Sequence, residues 1–245
     1  MKEKIVIIPT YNEKENIEAI IRKVFSFDQG FHILIIDDGS PDGTANIVKG
    51  LQNEFEGALH IEERTGKLGL GTAYIHGFKW CLANDYAYIF EMDADFSHNP
   101  ADLERLYEAC KVGGADLSVG SRYIRGGKVK NWPIGRILLS YFASVYVRAI
   151  TWMPVADTTA GFVCYSREVL QKLDFNKIQF VGYAFQIEMK FAAWKMGFTV
   201  KEVPITFTDR EKGASKMSGG IFKEAFGGVL KMQLQSFTKD YSESK

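Results

Sequence analysis

Two aspartates one residue apart close an apolar run at positions 88–100, YIFEMDADFSHNP. Tyr88, Ile89, Phe90 and Met92 read as a buried strand, and in an extended chain residues i and i+2 point to the same side. Asp93 and Asp95 can therefore set two carboxylates around one hard cation such as Mg2+ or Mn2+. An ion held by only two protein carboxylates keeps open positions, which suits a bridge to a substrate diphosphate better than a closed structural site. The same DxD letters also read as an acidic turn in which Asp95 caps the helix that Pro100 begins, and the pair alone leaves both readings open.

Other stretches carry charge that could meet phosphate. RTGKLGLGTA at 64–73 puts glycines and a lysine ahead of a helix, where backbone N–H groups can receive an anion or where glycines serve close packing on a sheet. Gly69 and Gly71 invite a dinucleotide reading, but Tyr74 stands where the third glycine belongs and the stretch does not follow the first strand, which argues against a Rossmann dehydrogenase. From 121 to 136 the chain carries Arg122, Arg125, Lys128, Lys130 and Arg136 and no acid. Such a run is a solvated face or an anion site. It leads into a helix at 136–153, where Arg136, Ser140, Ser144 and Arg148 step by four and fall within about 120° of arc. The rest of that helix, with Leu138, Leu139, Phe142, Val145 and Trp152, is apolar. It can hold a headgroup on the stripe and face lipid elsewhere, or be a core helix with one wet stripe. DREKGASKMSGG at 209–220 offers Arg210 and Lys216 on a glycine-rich loop that could close over phosphates. Gln186 and Glu188 read as ordinary polar positions of a helix at 183–194.

The elements that must position these groups alternate. Strand signals at 5–8, 32–36, 59–62, 88–92 and 116–120 are separated by helical spacing at 17–24, 45–55, 70–82 and 102–110. A turn into a strand follows at 157–165, and an extended segment at 200–207 is broken by Pro204. Alternating β and α units imply a parallel sheet with ligands beyond the carboxyl ends of its strands. Tyr11, Asn12, Glu13, Asp37, Asp38, Asp93 and Asp95 all follow strand ends, so they should gather along one edge. Ile221, Phe222, Val229, Leu230, Leu234 and Phe237 then form one face of a terminal amphipathic helix.

Composition limits what such a chain can be. A length of 245 residues at 46% hydrophobic content suits one large α/β core, here one domain over 1–220 followed by a helix and tail over 221–245. Thirty basic residues balance thirty acidic ones, which argues against a general nucleic-acid binder. Cys81, Cys110 and Cys164 sit in apolar surroundings and fit buried thiols of a reducing, cytoplasmic compartment. The four histidines lack metal-ligand spacing, so no zinc site is expected. MKEKIVIIP is too short and lacks a cleavage site for a signal peptide. No uninterrupted apolar run reaches about 18 residues, so no transmembrane helix is expected.

The blocks IPTYNEKENI, IIDDGSPDGT, KLGLGTAYIHG, MDADFSHNP, GSRY, GFVCYSREVL, GYAFQIEM and DREKGASK occur in an order that resembles the inverting family 2 glycosyltransferases of GT-A fold. Among them the chain is similar to the dolichol- or polyprenol-phosphate mannose synthases, over residues 5–216. The resemblance implies a single GT-A, Rossmann-like α/β domain with a mostly parallel central sheet flanked by helices, and amphipathic helices at the acceptor side and C-terminus. It implies that Pro9, Tyr11 and Glu13 hold the nucleoside, that Asp38 binds the base beside Ile36, and that Asp93 and Asp95 carry Mg2+ or Mn2+ on the donor diphosphate with Ala94 between them. Ser97 stands where some relatives carry a glutamine in the metal shell. Arg122, Arg210 and Lys216 match basic residues around the donor phosphates and the acceptor, and with Asp95 form the implied catalytic set. Arg136 and Ser140 match positions that receive the lipid phosphate.

The implied reaction is metal-dependent transfer of mannose from GDP-mannose to dolichyl or polyprenyl phosphate, with inversion. A phosphate monoester is already an anion, so no general base is needed, which agrees with a site rich in basic residues and lacking an obvious histidine. The implied partners are the two substrates and the cytoplasmic face of a membrane, reached peripherally through amphipathic segments or a membrane-anchoring protein. A polyprenyl-phosphate glycosyltransferase using UDP-glucose is the alternative donor reading, since Asp38 can pair with uracil or guanine. A non-catalytic scaffold of the same fold is the alternative from another class.

Overall fold

A computed structural model describes residues 2–182, 184–210 and 220–243. Strands β1 (Lys2–Thr10), β2 (Phe31–Asp37) and β3 (Leu59–Glu63) alternate with helices α1 (Ile17–Phe25) and α2 (Thr44–Leu51). Helix α3 (Leu70–Ala83) leads to β4 (Tyr86–Glu91), and α4 (Leu103–Lys111) to β5 (Leu117–Ser121). There follow β6 (Lys128–Lys130), α5 (Ile134–Thr151), β7 (Val163–Ser166), α6 (Arg167–Lys172) and α7 (Ala184–Lys195). Last come β8 (Val200–Pro204), β9 (Thr206–Thr208) and α8 (Gly220–Gln235).

Seven strands form one sheet in the order β3-β2-β1-β4-β7-β5-β8, while β6 and β9 pair separately. All neighbours in the large sheet run parallel except β7, which is antiparallel to β4 and β5. Strand β1 shows why both faces are covered. Ile5 and Ile7 enter the core under α3, whereas Val6 and Ile8 enter the core under α1 and α4. The strand is apolar throughout because its alternating side chains all meet a helix layer.

Two short elements, β6 and α6, escape the sequence reading, and the expected strand at 157–165 shrinks to β7. The reversed β7 matters for the site. Its amino end pairs at Val163 with Glu91, the last residue of β4, so the loop at 157–161 is delivered to the same edge as the parallel strand ends. The glycines of α3 serve packing: a Cβ on Gly71 would stand 2.7 Å from the Phe185 ring, and one on Gly77 2.9 Å from Ile7.

Helix α5 corrects one expectation. By length and composition it is apolar enough to cross a bilayer, a property hidden from a search for unbroken runs because Arg136 and Arg148 interrupt it. It nevertheless packs on the domain, with Ser144, Val147 and Thr151 buried and α8 against it.

Candidate active site

The ends of β1 and β2 lie side by side, Pro9 paired with Ile36 and Thr10 with Asp37. Asp37 is a structural clip: Thr10 Oγ1 donates to its Oδ1 at 2.8 Å, and the Ser40 N–H donates to its Oδ2 at 2.8 Å. Asp38 is buried and faces Arg64, whose Nε donates to Oδ1 at 2.7 Å and whose second terminal nitrogen stands 2.6 Å from the same oxygen. Thr72 Oγ1 accepts from Arg64 at 2.8 Å, tying this pair to the first turn of α3. Tyr11 lies under the Lys67 ammonium at 5.5 Å, and Glu13 accepts from the Asn16 amide at 3.0 Å.

One strand along, the chain after β4 presents the two aspartates differently. Asp93 is half-buried, its carboxylate 3.9 Å from the buried His98 ring. Asp95 is buried, accepts from the Ser97 N–H at 3.0 Å, and stands 3.1 Å from Arg210. The capping reading of Asp95 fails, since Asn99 and not Asp95 accepts from the Ala101 N–H to cap the short helical turn at Pro100; Asp95 closes the turn at Ser97 instead. His98 Nδ1 accepts from the Asp93 N–H at 3.3 Å, and its ring stacks on Phe162 at 4.9 Å. Burial pushes its pKa down to about 4, so the ring is a neutral acceptor in the floor of the site.

Asp93, Asp95, Ser97, Arg122, Arg136, Ser140 and Arg210 line one pocket of about 440 Å3. Apolar side chains share the lining, Leu139, Phe142 and Val147 from the same α5 that carries Arg136 and Ser140, and Val229 from α8. Pro9, Tyr11, Glu13, Ile36, Asp38 and Ala94 do not line it, and stand instead at the strand ends beside it or, for Ala94, buried between the two aspartates. Lys216 lies outside the described residues.

The cations of this pocket have aspartate partners. Arg122 grips Asp157 in a fork, Nε to Oδ2 and the second terminal nitrogen to Oδ1, both at 2.7 Å, with its own N–H donating to Oδ2 at 2.9 Å. Burial works against the Arg122 charge, but the Asp157 carboxylate outweighs it and holds the pKa above the usual guanidinium value. Arg136 stacks 4.0 Å over the Trp132 ring and donates to Asp209 at 3.0 Å, and the Trp132 indole donates to the same Asp209 oxygen at 3.1 Å. Among the described residues no group of three or more His, Cys, Asp or Glu could hold a metal. Asp93 and Asp95, two hard carboxylates lining the same pocket, could hold a divalent ion.

Comparison with known proteins gives this geometry a family. The model of glycosyl transferase family 2 matches residues 5–174. The chain belongs to glycosyl transferase family 2. Within that family it is 48% identical over 221 residues to a polyprenol monophosphomannose synthase of Mycolicibacterium smegmatis, covering 90% of this chain and 83% of the relative. It is 42% identical over 230 residues to an undecaprenyl-phosphate mannosyltransferase of Micrococcus luteus, covering 94% and 93%. Among solved structures, a glucosyl-3-phosphoglycerate synthase of Mycobacterium tuberculosis in complex with Mn2+, UDP-glucose and glycerol 3-phosphate superposes with a TM-score of 0.64 at 18% identity, over 96% of this chain and 80% of that one. A mannosyltransferase of Pyrobaculum calidifontis in complex with GDP-mannose and Mn2+ gives 0.59 at 16% identity, over 99% and 66%. At such identities these two speak for the GT-A fold alone.

For a family 2 glycosyltransferase, the residues that sequence reasoning missed are mainly partners. Arg64, Asp157 and Asp209 each complete a pair with a residue it had singled out, and His98 forms the floor beneath Asp93. Only an acid directly after a strand, as Asp209 after β9, hints at such a role in the sequence.

Proposed function

We propose that this glycosyltransferase moves mannose from GDP-mannose to a polyprenyl phosphate, with inversion at the anomeric carbon. The observation that carries the reading is a single pocket lined by Asp93, Asp95, Arg136 and Ser140 together with apolar side chains of α5 and α8. Such a pocket accepts a phosphate whose tail is hydrocarbon. The names of the relatives that are 48% and 42% identical support the same acceptor and sugar.

In this reading, Asp38 and Arg64 face the guanine, Pro9, Tyr11, Glu13 and Ile36 shape the nucleoside bed, and Asp93 and Asp95 would hold Mg2+ or Mn2+. The ion, when bound, offsets charge on the leaving GDP. Arg210, which stands 3.1 Å from Asp95, and Lys216 add positive charge at the diphosphate oxygens. Arg136 and Ser140 bind the acceptor phosphate. Arg122, locked to Asp157, keeps the floor in shape and lends its field to the bound anions. The phosphate is its own nucleophile, so no side chain has to remove a proton.

Leu138, Leu139 and Phe142 on α5, Leu230 and Leu234 on α8, and Phe237 in the turn after it are each about half exposed or more. We place these residues against the surface of a bilayer, so that the pocket opens where the lipid phosphate lies. A thermal-shift series with GDP-mannose, UDP-glucose and Mn2+ tests the donor: GDP-mannose with metal should raise Tm and UDP-glucose should not. Equal stabilisation by UDP-glucose would move the assignment to the other donor, and no response to either nucleotide sugar would point to a scaffold.

A further inference from the structure

Gln186, on the first turn of α7, is a polar side chain that the mechanism above leaves without work. It is 2% exposed, it lines the pocket, and neither its Nε2 nor its Oε1 makes a hydrogen bond. Gly161 forms the wall beside it, close enough that a Cβ there would stand 3.6 Å from Nε2. Close to it the Glu91 carboxyl is fully buried, and neither of its oxygens makes a hydrogen bond. Gln186 is its neighbour, but the two side chains do not meet in hydrogen-bond geometry. Buried carboxamides are normally paired, because leaving donor and acceptor dry and unmatched is destabilising.

The chemistry of the group restricts what could complete it. A carboxamide presents one acceptor and two donors. Phosphate oxygens accept only, so a phosphate would satisfy Nε2 and face Oε1 with like partial charge. The pocket already has Arg136 and Arg210 for anions. A sugar hydroxyl both donates and accepts, and a vicinal pair of hydroxyls can meet Oε1 and Nε2 together. We infer that Gln186 binds the hydroxyls of the transferred sugar and so helps to select it. This rests on the proposed reading of the pocket as a nucleotide-sugar site. Being uncharged, the group also adds no repulsion toward the approaching acceptor dianion.

The test compares GDP with GDP-mannose, which differ only by the sugar. In Gln186→Met, close in size but apolar, GDP should bind within about twofold of the unsubstituted enzyme. The value of kcat/KM for mannose transfer should fall on the order of tenfold or more, and the preference for GDP-mannose over GDP-glucose should narrow. Gln186→Leu, likewise apolar and uncharged, should show the same pattern if the methionine variant does not fold. Unchanged transfer and unchanged preference in a folded variant would overturn the inference. So would an equal loss of GDP and GDP-mannose binding with a lowered Tm, which is what a purely structural role predicts. Failure of the unsubstituted enzyme to bind either nucleotide would instead overturn the underlying reading of the pocket.

Discussion

Replacing Asp157 by asparagine tests whether Arg122 is held or free. Asp157 is fully buried and the Arg122 side chain is 8% exposed, so this is an interior ion pair with little solvent screening. Asparagine keeps the shape but turns one carboxylate oxygen into an NH2 group that faces the Arg122 donors. Of the three hydrogen bonds from Arg122 to the carboxylate, at 2.7, 2.7 and 2.9 Å, at least one becomes donor against donor. Breaking one side of a buried pair costs about 3–5 kcal/mol, a large share of a typical stability of roughly 5–15 kcal/mol. At about 2–4 °C per kcal/mol for a chain of this size, Tm should drop by roughly 10 °C. Chemical denaturation should give the matching loss with an unchanged m-value. Adding Arg122→Met to Asp157→Asn should restore part of the loss, since the stranded charge is then gone. A loss below about 1 kcal/mol in the single variant would refute the reasoning and free Arg122 to act as a mobile phosphate ligand.

Arg136→Ala should raise the acceptor KM by about 10- to 100-fold, the worth of a charged hydrogen bond, while GDP affinity stays within twofold by calorimetry. Leu138→Ser with Phe142→Ser should reduce co-sedimentation with polyprenol-containing vesicles by roughly tenfold or more without altering Tm, and equal sedimentation would remove α5 from the membrane contact. Burial pushes the Cys81 and Cys164 thiols above the ordinary value, and Cys110 is also buried. A thiol reagent at pH 8 should therefore label none of the three natively and all three after unfolding, and fast native labelling would contradict the packing.

Most of the scaffold was legible because β1, β2 and β4 are β-branched or aromatic runs of strand length and the helices between them keep their spacing. The reversed direction of β7 was not, since a run such as Val163–Ser166 reads the same whichever way it pairs. In the site, the sequence displays charges but not their partners. Arg122 stands in a run without acids, yet its counter-ion is Asp157, brought in by the turn before β7. Arg64 with Asp38 and Arg136 with Asp209 follow the same logic, with partners 26 and 73 positions away. Gln186 and His98 were hidden for another reason. A polar residue on a helix or turn reads alike whether it faces solvent or a pocket, and only the tertiary fold decides.

The central claim is transfer of mannose to a lipid phosphate at the Asp93–Asp95 pocket. Radiolabelled GDP-mannose incubated with a defined polyprenyl phosphate and Mn2+ should give an organic-soluble, mild-acid-labile mannolipid. Chelation should abolish the product, and so should Asp95→Ala in a protein whose circular dichroism is unchanged. Full turnover by Asp95→Ala, or label transferred from UDP-glucose and not from GDP-mannose, would contradict the account.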